Sequence, residues 1–243
     1  MHIDAELLIG PAIAVLYLKD GLLMLEGDEA VLVRGWRGRW RAGFGPREWR
    51  LRGRAPWLCN PFKPQQPVLR LHWNASAPAV LAPTPSGAPA DVPGDLLALG
   101  PWVGVIWLLL FVGLPIAFYA HLGLAVLLAV LAELYAAIAI ALILVYRRRG
   151  ALGLTRRAFG VLAFEVLACA PYAANLVRRL SLARRVDEDF AAASERLLKG
   201  PALAAMRAES ARRIDYELEA LDADSPRARA LRDARGRFDH EHR

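Results

Sequence analysis

The chain has 243 residues and a formal net charge of +7, and 56% of its residues are hydrophobic, with a mean hydropathy of +0.27. That balance is apolar for a soluble domain and modest for a multi-span transporter, so only part of the chain is expected inside a membrane. Its two cysteines, Cys59 and Cys169, lie too far apart in sequence to form a disulfide framework. There is no glycine-rich phosphate loop, no His-x-x-x-His or Cys-x-x-Cys metal spacing and no nucleophile elbow, so no catalytic residue, metal or cofactor is expected. The 28 arginines against 3 lysines, with abundant alanine, point to a GC-rich bacterial source.

The first apolar run is Leu7 to Leu18, preceded by Asp4 and Glu6 and followed by Lys19-Asp20. It lacks the basic lead and the small-residue cleavage site of a signal peptide. Residues 1–26 are therefore expected to hold an N-terminal membrane helix that begins near residue 5, with Lys19 at headgroup level. Its end stays open, because residues 21–26 read equally as the start of a strand.

Residues 27–75 change character. Ala30–Val33, Arg39–Ala42, Glu48–Leu51 and Val68–Trp73 are short runs, several alternating in polarity, between Gly and Pro punctuation. They predict a small, basic, β-rich domain of four or five strands. Residues 76–100, rich in Ala and Pro, read as a linker.

Residues 101–146 carry the strongest signal. Pro101–Ala120 and Gly123–Tyr146 are apolar runs separated only by His121 and Leu122. Each matches the roughly 30 Å hydrocarbon core of a bilayer, so the two predict a transmembrane hairpin. Residues 147–179 begin with Arg147-Arg148-Arg149 and hold a fourth apolar run, Ala158–Val177, interrupted by Glu165 and Pro171. With arginine pairs on both sides it is expected to be re-entrant or interfacial, although its length permits a span. Residues 180–243 read as a soluble helical tail: Lys199-Gly200-Pro201 ends one helix, Ser225-Pro226 opens the last, and Gly236 closes it. The fold class is thus an α-helical integral membrane protein with a small cytoplasmic β-rich domain and a helical cytoplasmic tail.

Charge sets the expected orientation. Residues 30–75 contain 10 Lys or Arg and one acid, Glu48, whereas the hairpin tip has neither. Basic loops stay cytoplasmic. The expectation is a multi-pass protein of the bacterial inner membrane, N-terminus and hairpin tip outside, β domain and C-terminus cytoplasmic.

Three groups of residues invite a functional role. Glu133 lies mid-way along the second hairpin helix with Ala129, Ala136 and Ala137 one turn away. An ionisable group there costs several kcal/mol unless paired, protonated or wet, and small neighbours allow a second helix to pack closely. It is read as a helix-interface acid, with proton or substrate handling as the alternative. Glu165, Asn175 and Arg178 form a second membrane-embedded polar group, which suits a pocket for a lipid phosphate or a snorkelling interfacial arginine. The third is the stretch Trp36, Arg37, Arg39, Trp40 and Arg41, continued by Trp49, Arg50, Arg52, Arg54 and Trp57. Basic residues interleaved with aromatics serve single-stranded nucleic acid in some proteins. Beside a membrane helix they fit an anionic lipid surface better, so anionic phospholipid is the expected ligand and nucleic acid is not.

These features favour a non-enzymatic subunit or scaffold of an inner-membrane complex, docking through its hairpin onto other membrane subunits or onto itself. The alternatives are a small oligomeric carrier or lipid-handling protein with Glu133 as coupling acid, and an enzyme acting at a lipid headgroup.

Overall fold

A computed structural model describes residues 5–35, 38–72, 94–184, 186, 188–219, 221–222 and 224–239. They divide into two compact units, each assembled from three separate stretches of chain.

The first unit is helical and comprises residues 1–23, 57–67 and 92–184. Helix α1, Ala5–Asp20, spans 16 residues. At 1.5 Å per residue it is about 24 Å long, short of the roughly 30 Å hydrocarbon thickness. Of the two ends left open for the helix expected within residues 1–26, the earlier one is found: the chain leaves the helix after Asp20 and forms strand β1, Leu22–Leu25, which pairs with β4, Ala55–Leu58.

The chain forms the two-armed hairpin that its hydropathy predicts, but the first arm begins at Gly94, inside the stretch expected as linker, the rest of which lies outside the described residues. Its first arm is built from α2 (Gly94–Leu97), α3 (Gly100–Leu108), a π-helical turn at Leu109–Gly113, and α4 (Leu114–Tyr119). Pro115 has no N–H to give, and the turn before it widens so that the Leu114 N–H bonds the Leu109 carbonyl five residues back. The chain reverses over Ala120–Gly123, where His121 (φ 51°) and Gly123 (φ 90°) take left-handed conformations. The second arm is α5, Leu124–Arg147. Its buried residues, Leu134, Ala137, Ile138, Ala141, Leu142 and Val145, recur at helical spacing and lie in its C-terminal half. Arg148 and Asp95 form an ion pair at 2.8 Å across the open end of the hairpin.

The two arms, Gly94–Tyr119 and Leu124–Arg147, are long and apolar enough to cross a membrane, with mean hydropathies of 2.2 and 2.6. Only 28% of each hydrophobic stretch is buried, whereas the core helix of a soluble protein is mostly buried. Leu108, Ile116, Leu124, Leu128 and Ile143 all point outward.

The fourth apolar run is not one helix. It forms α6 (Arg156–Ala168, N-capped by the Thr155 hydroxyl), α7 (Ala170–Ala174) and α8 (Leu176–Ala183). The break falls at Cys169, just before Pro171, which cannot continue the hydrogen-bond ladder of α6. Its 13 residues give α6 a length of about 20 Å.

The second unit comprises residues 24–56, 68–91 and 185–243. Strands β2 (Glu29–Arg34), β3 (Trp40–Gly43) and β5 (Val68–His72) form an antiparallel sheet in the order β3-β2-β5. Val31 stands opposite Gly43 on one side and Arg70 on the other. Glu29 is buried, and it is held by the Arg70 guanidinium, the Glu26 N–H and His72 Nε2. Glu48–Leu51, expected as a strand, is not one: it is exposed and leads into a tight turn closed by an isolated bridge between Leu51 and Arg54.

Helices α9 (Phe190–Leu197), α10 (Pro201–Glu219) and α11 (Pro226–Asp239) belong to this same unit. Strands and tail, expected as separate regions, therefore share one core. Phe44 meets Phe190 edge to face at 5.5 Å, and Met206, Ile214, Leu231 and Ala234 are buried. Ser225 caps α11 as its spacing predicts, but the helix runs through Gly236 instead of stopping there.

Candidate functional site

The helical unit contains a polar cluster built on α8. Arg178 is 2% exposed. Its Nη1 donates to Asn175 Oδ1 at 2.6 Å and to the Tyr17 hydroxyl at 3.3 Å, and its Nη2 donates to the carbonyls of Lys63 at 2.9 Å and of Asn60. Tyr17 in turn donates its hydroxyl to the Pro61 carbonyl at 2.7 Å, and Asn175 Nδ2 donates to the Tyr17 carbonyl at 3.0 Å. One guanidinium thus ties α1, α8 and the 60–63 turn together.

The neighbouring Arg179 faces a different set. It pairs with Glu165, lies 3.7 Å from Asp20 Oδ1 and stacks its guanidinium over the Tyr172 ring at 5.0 Å. Asn175 and Arg178 therefore do meet, while Glu165 belongs to Arg179. The expectation that Arg178 could bind a lipid phosphate is corrected here. Four of its donor contacts are spent on protein oxygens, and the charge is buried rather than snorkelling. Sequence reasoning missed Tyr17, Asp20, Asn60 and Arg179. Burial pushes the Cys59 thiol up, with the Arg178 charge opposing that, so this thiol is a poor nucleophile.

Glu133 is exposed on α5, and so are Ala129 and Ala136, whereas Ala137 is buried in the hairpin's own packing. The alanine face is split: one side closes the hairpin, and the side bearing Glu133 is covered by no other element among the described residues.

Of the expected lipid-surface residues, Arg39 and Arg41 are exposed, and Trp36 and Arg37 lie outside the described residues. Trp40 is corrected: it is 9% exposed and belongs to the core, because alternation along β3 turns it inward while Arg41 turns outward.

In the second unit Glu209 is gripped by Arg213 Nε at 2.9 Å and by Arg47 at 2.9 Å. Burial raises its pKa, but hydrogen bonds from Arg213 and Arg47 outweigh burial and hold the carboxyl below the usual range. Arg213 also lies over the Phe44 ring at 4.8 Å and donates to the Gly45 carbonyl. This second knot, like that of Arg178, is built for cohesion: its polar groups face one another and not an open site.

Among the described residues no three His, Cys, Asp or Glu side chains are grouped to hold a metal ion. No known protein family matches the chain, nor does any curated protein or solved structure.

Proposed function

We propose that this chain is a non-enzymatic subunit or scaffold of a bacterial inner-membrane complex, docking through its hairpin and holding a partner with its soluble unit. The observation that carries this is the outward position of Glu133 between Ala129 and Ala136, on a helix of mean hydropathy 2.6. A carboxyl facing hydrocarbon costs about 2.5–3.5 kcal/mol on insertion scales. A partner helix with a hydrogen-bond donor removes most of that cost, and the flanking alanines let its backbone come close. The partner is another membrane subunit or a second copy of this chain. In this reading the hairpin tip at His121 faces outside and the soluble unit faces the cytoplasm.

The test is co-purification in mild detergent of the wild type, Glu133→Gln and Glu133→Leu. Glu133→Gln keeps a donor and an acceptor and should retain the assembly. Glu133→Leu should weaken it by about 1 kcal/mol, or roughly fivefold, the usual scale of an intramembrane hydrogen bond. A wild-type chain that purifies as a lone monomer would refute the docking role. Retention of the complex in Glu133→Leu would move the interface elsewhere on the hairpin.

A further inference from the structure

The second unit carries a polar groove of about 640 Å³, apart from the Arg213–Glu209 knot. Four segments converge on it: the β1–β2 turn (Glu26, Gly27, Asp28), the β3–β4 loop (Arg50, Arg52, Gly53, Arg54), the end of α10 (Tyr216, Glu217) and the start of α11 (Arg227). Its volume falls within the range of small-molecule sites. A Cβ at Gly27 would lie 3.1 Å from Glu217 Oε1, so that side chain packs close against the turn.

The charges in the groove are not evenly matched. Arg54 is paired with Glu26 at 2.8 Å, and Arg227 with Glu217 at 3.2 Å. Arg50 and Arg52 have no acidic partner within ion-pair distance among the described residues, and Asp28 is the one remaining lining carboxylate. Arg50 also lies near enough to Arg213 to add, after burial and together with Arg47, to the destabilisation of that charge.

Backbone conformation points the same way. Arg52 has φ 52° and Gly53 has φ 80°, and between them the chain reverses, with the Leu51 N–H bonded to the Arg54 carbonyl at 2.8 Å. Positive φ at both central positions is the geometry that Asn-Gly or Asp-Gly adopts at least cost. An arginine in the first position is a local misfit, and such misfits collect at ligand sites.

We propose that this groove binds a phosphate-bearing anion, with Arg50 and Arg52 as its two cationic ligands. Planar guanidinium groups match phosphate oxygens two bonds at a time. Tyr216, 55% exposed on the rim, offers a ring face to whatever carries the phosphate. The phosphate belongs either to a soluble compound or to a lipid headgroup. The inference stands apart from hairpin docking and shares no residue with it.

The experiment uses the full chain in a nonionic sugar detergent at low salt, followed by titration calorimetry. One arm titrates inorganic pyrophosphate, and the other adds short-chain phosphatidic acid to the micelles. Arg50→Gln/Arg52→Gln is compared with Arg212→Gln/Arg229→Gln, which removes the same charge from exposed positions on α10 and α11. Saturable binding in either arm, weakened at least about tenfold by the first pair and less than about threefold by the second, supports the site. Binding of pyrophosphate identifies a soluble source, and binding of phosphatidic acid alone identifies a headgroup. Absence of binding in both arms, or equal weakening by both double variants, overturns it.

Discussion

Replacing Arg178 by Met tests whether the buried clamp holds the helical unit together. Methionine fills much of the same volume, so the loss is chiefly of hydrogen bonds rather than of packing. The substitution strips the donor from four acceptors: the carbonyls of Asn60 and Lys63, Asn175 Oδ1 and the Tyr17 hydroxyl. Each buried oxygen left unpaired costs about 1–3 kcal/mol. Against this stands the relief of desolvating a guanidinium that has no carboxylate in direct contact, worth several kcal/mol. The Tyr17 hydroxyl retains its own bond to Pro61, and Asn175 retains its bond to the Tyr17 carbonyl, which limits the loss further. The net expectation is a destabilisation of about 2–4 kcal/mol. Arg178→Lys keeps the charge but cannot fork across two carbonyls and two side chains, so it should recover only part of the loss. The assay is equilibrium unfolding in detergent micelles, monitored by tryptophan fluorescence, to which Trp57, Trp102 and Trp107 of this unit contribute. Stability of Arg178→Met within about 0.5 kcal/mol of wild type would refute the clamp, since that is the range of surface substitutions with no structural role.

Four further outcomes follow from the second unit and the hairpin. Trp40→Ala should cost about 3–5 kcal/mol, and Arg41→Ala should stay within about 0.5 kcal/mol, because the first empties the core and the second touches solvent. Gly45→Ala should destabilise by about 1–3 kcal/mol, since the new Cβ would lie 2.4 Å from the Ala55 Cβ; thermal unfolding checks both. Glu209 has a depressed pKa in the folded state, so its contribution is fully present above the ordinary glutamate value of about 4.3 and is lost as pH falls through the lower folded value; Glu209→Gln should flatten the acid limb of a stability–pH curve. Single cysteines at His121 should react with an impermeant reagent on intact cells, and cysteines at Arg41 or Arg213 only after permeabilisation. Labelling at Arg41 on intact cells would reverse the proposed orientation.

Much of this architecture is legible in the sequence where the signal is local. The hairpin arms follow from summed hydropathy along contiguous residues, and α5 begins at Leu124, one residue into the run that predicts it. Three strands follow from alternation, and that same alternation across Arg39-Trp40-Arg41 already places Trp40 opposite its arginine neighbours. The attraction of tryptophan for a membrane interface competes with that pattern and, in this case, misleads. What stays hidden is non-local. Arg178 finds backbone carbonyls 115 and 118 positions away, and a backbone carbonyl leaves no mark on a sequence. The grouping of α9–α11 with the strands is hidden for the same reason, since a polar helix with one apolar stripe looks alike whether it packs on a sheet or on another helix. Glu48–Leu51 carries strand-like residues but has no neighbouring strand along its length, and pairing rather than propensity decides it.

The interleaving of the two units along the chain has a consequence for biosynthesis. Strand β5 ends at His72, whereas Phe190, which closes the core over Phe44, emerges nearly 120 residues later. At about 5–20 residues per second the ribosome takes roughly 6–24 s to cover that distance. Throughout that interval β2, whose Ala30, Val31 and Leu32 are fully buried in the finished unit, lacks the tail helices that complete the unit's core. Nascent strands with open faces are aggregation-prone, so a holding chaperone would protect the young chain. A premature stop anywhere before Phe190 would release a product whose sheet can never be sealed.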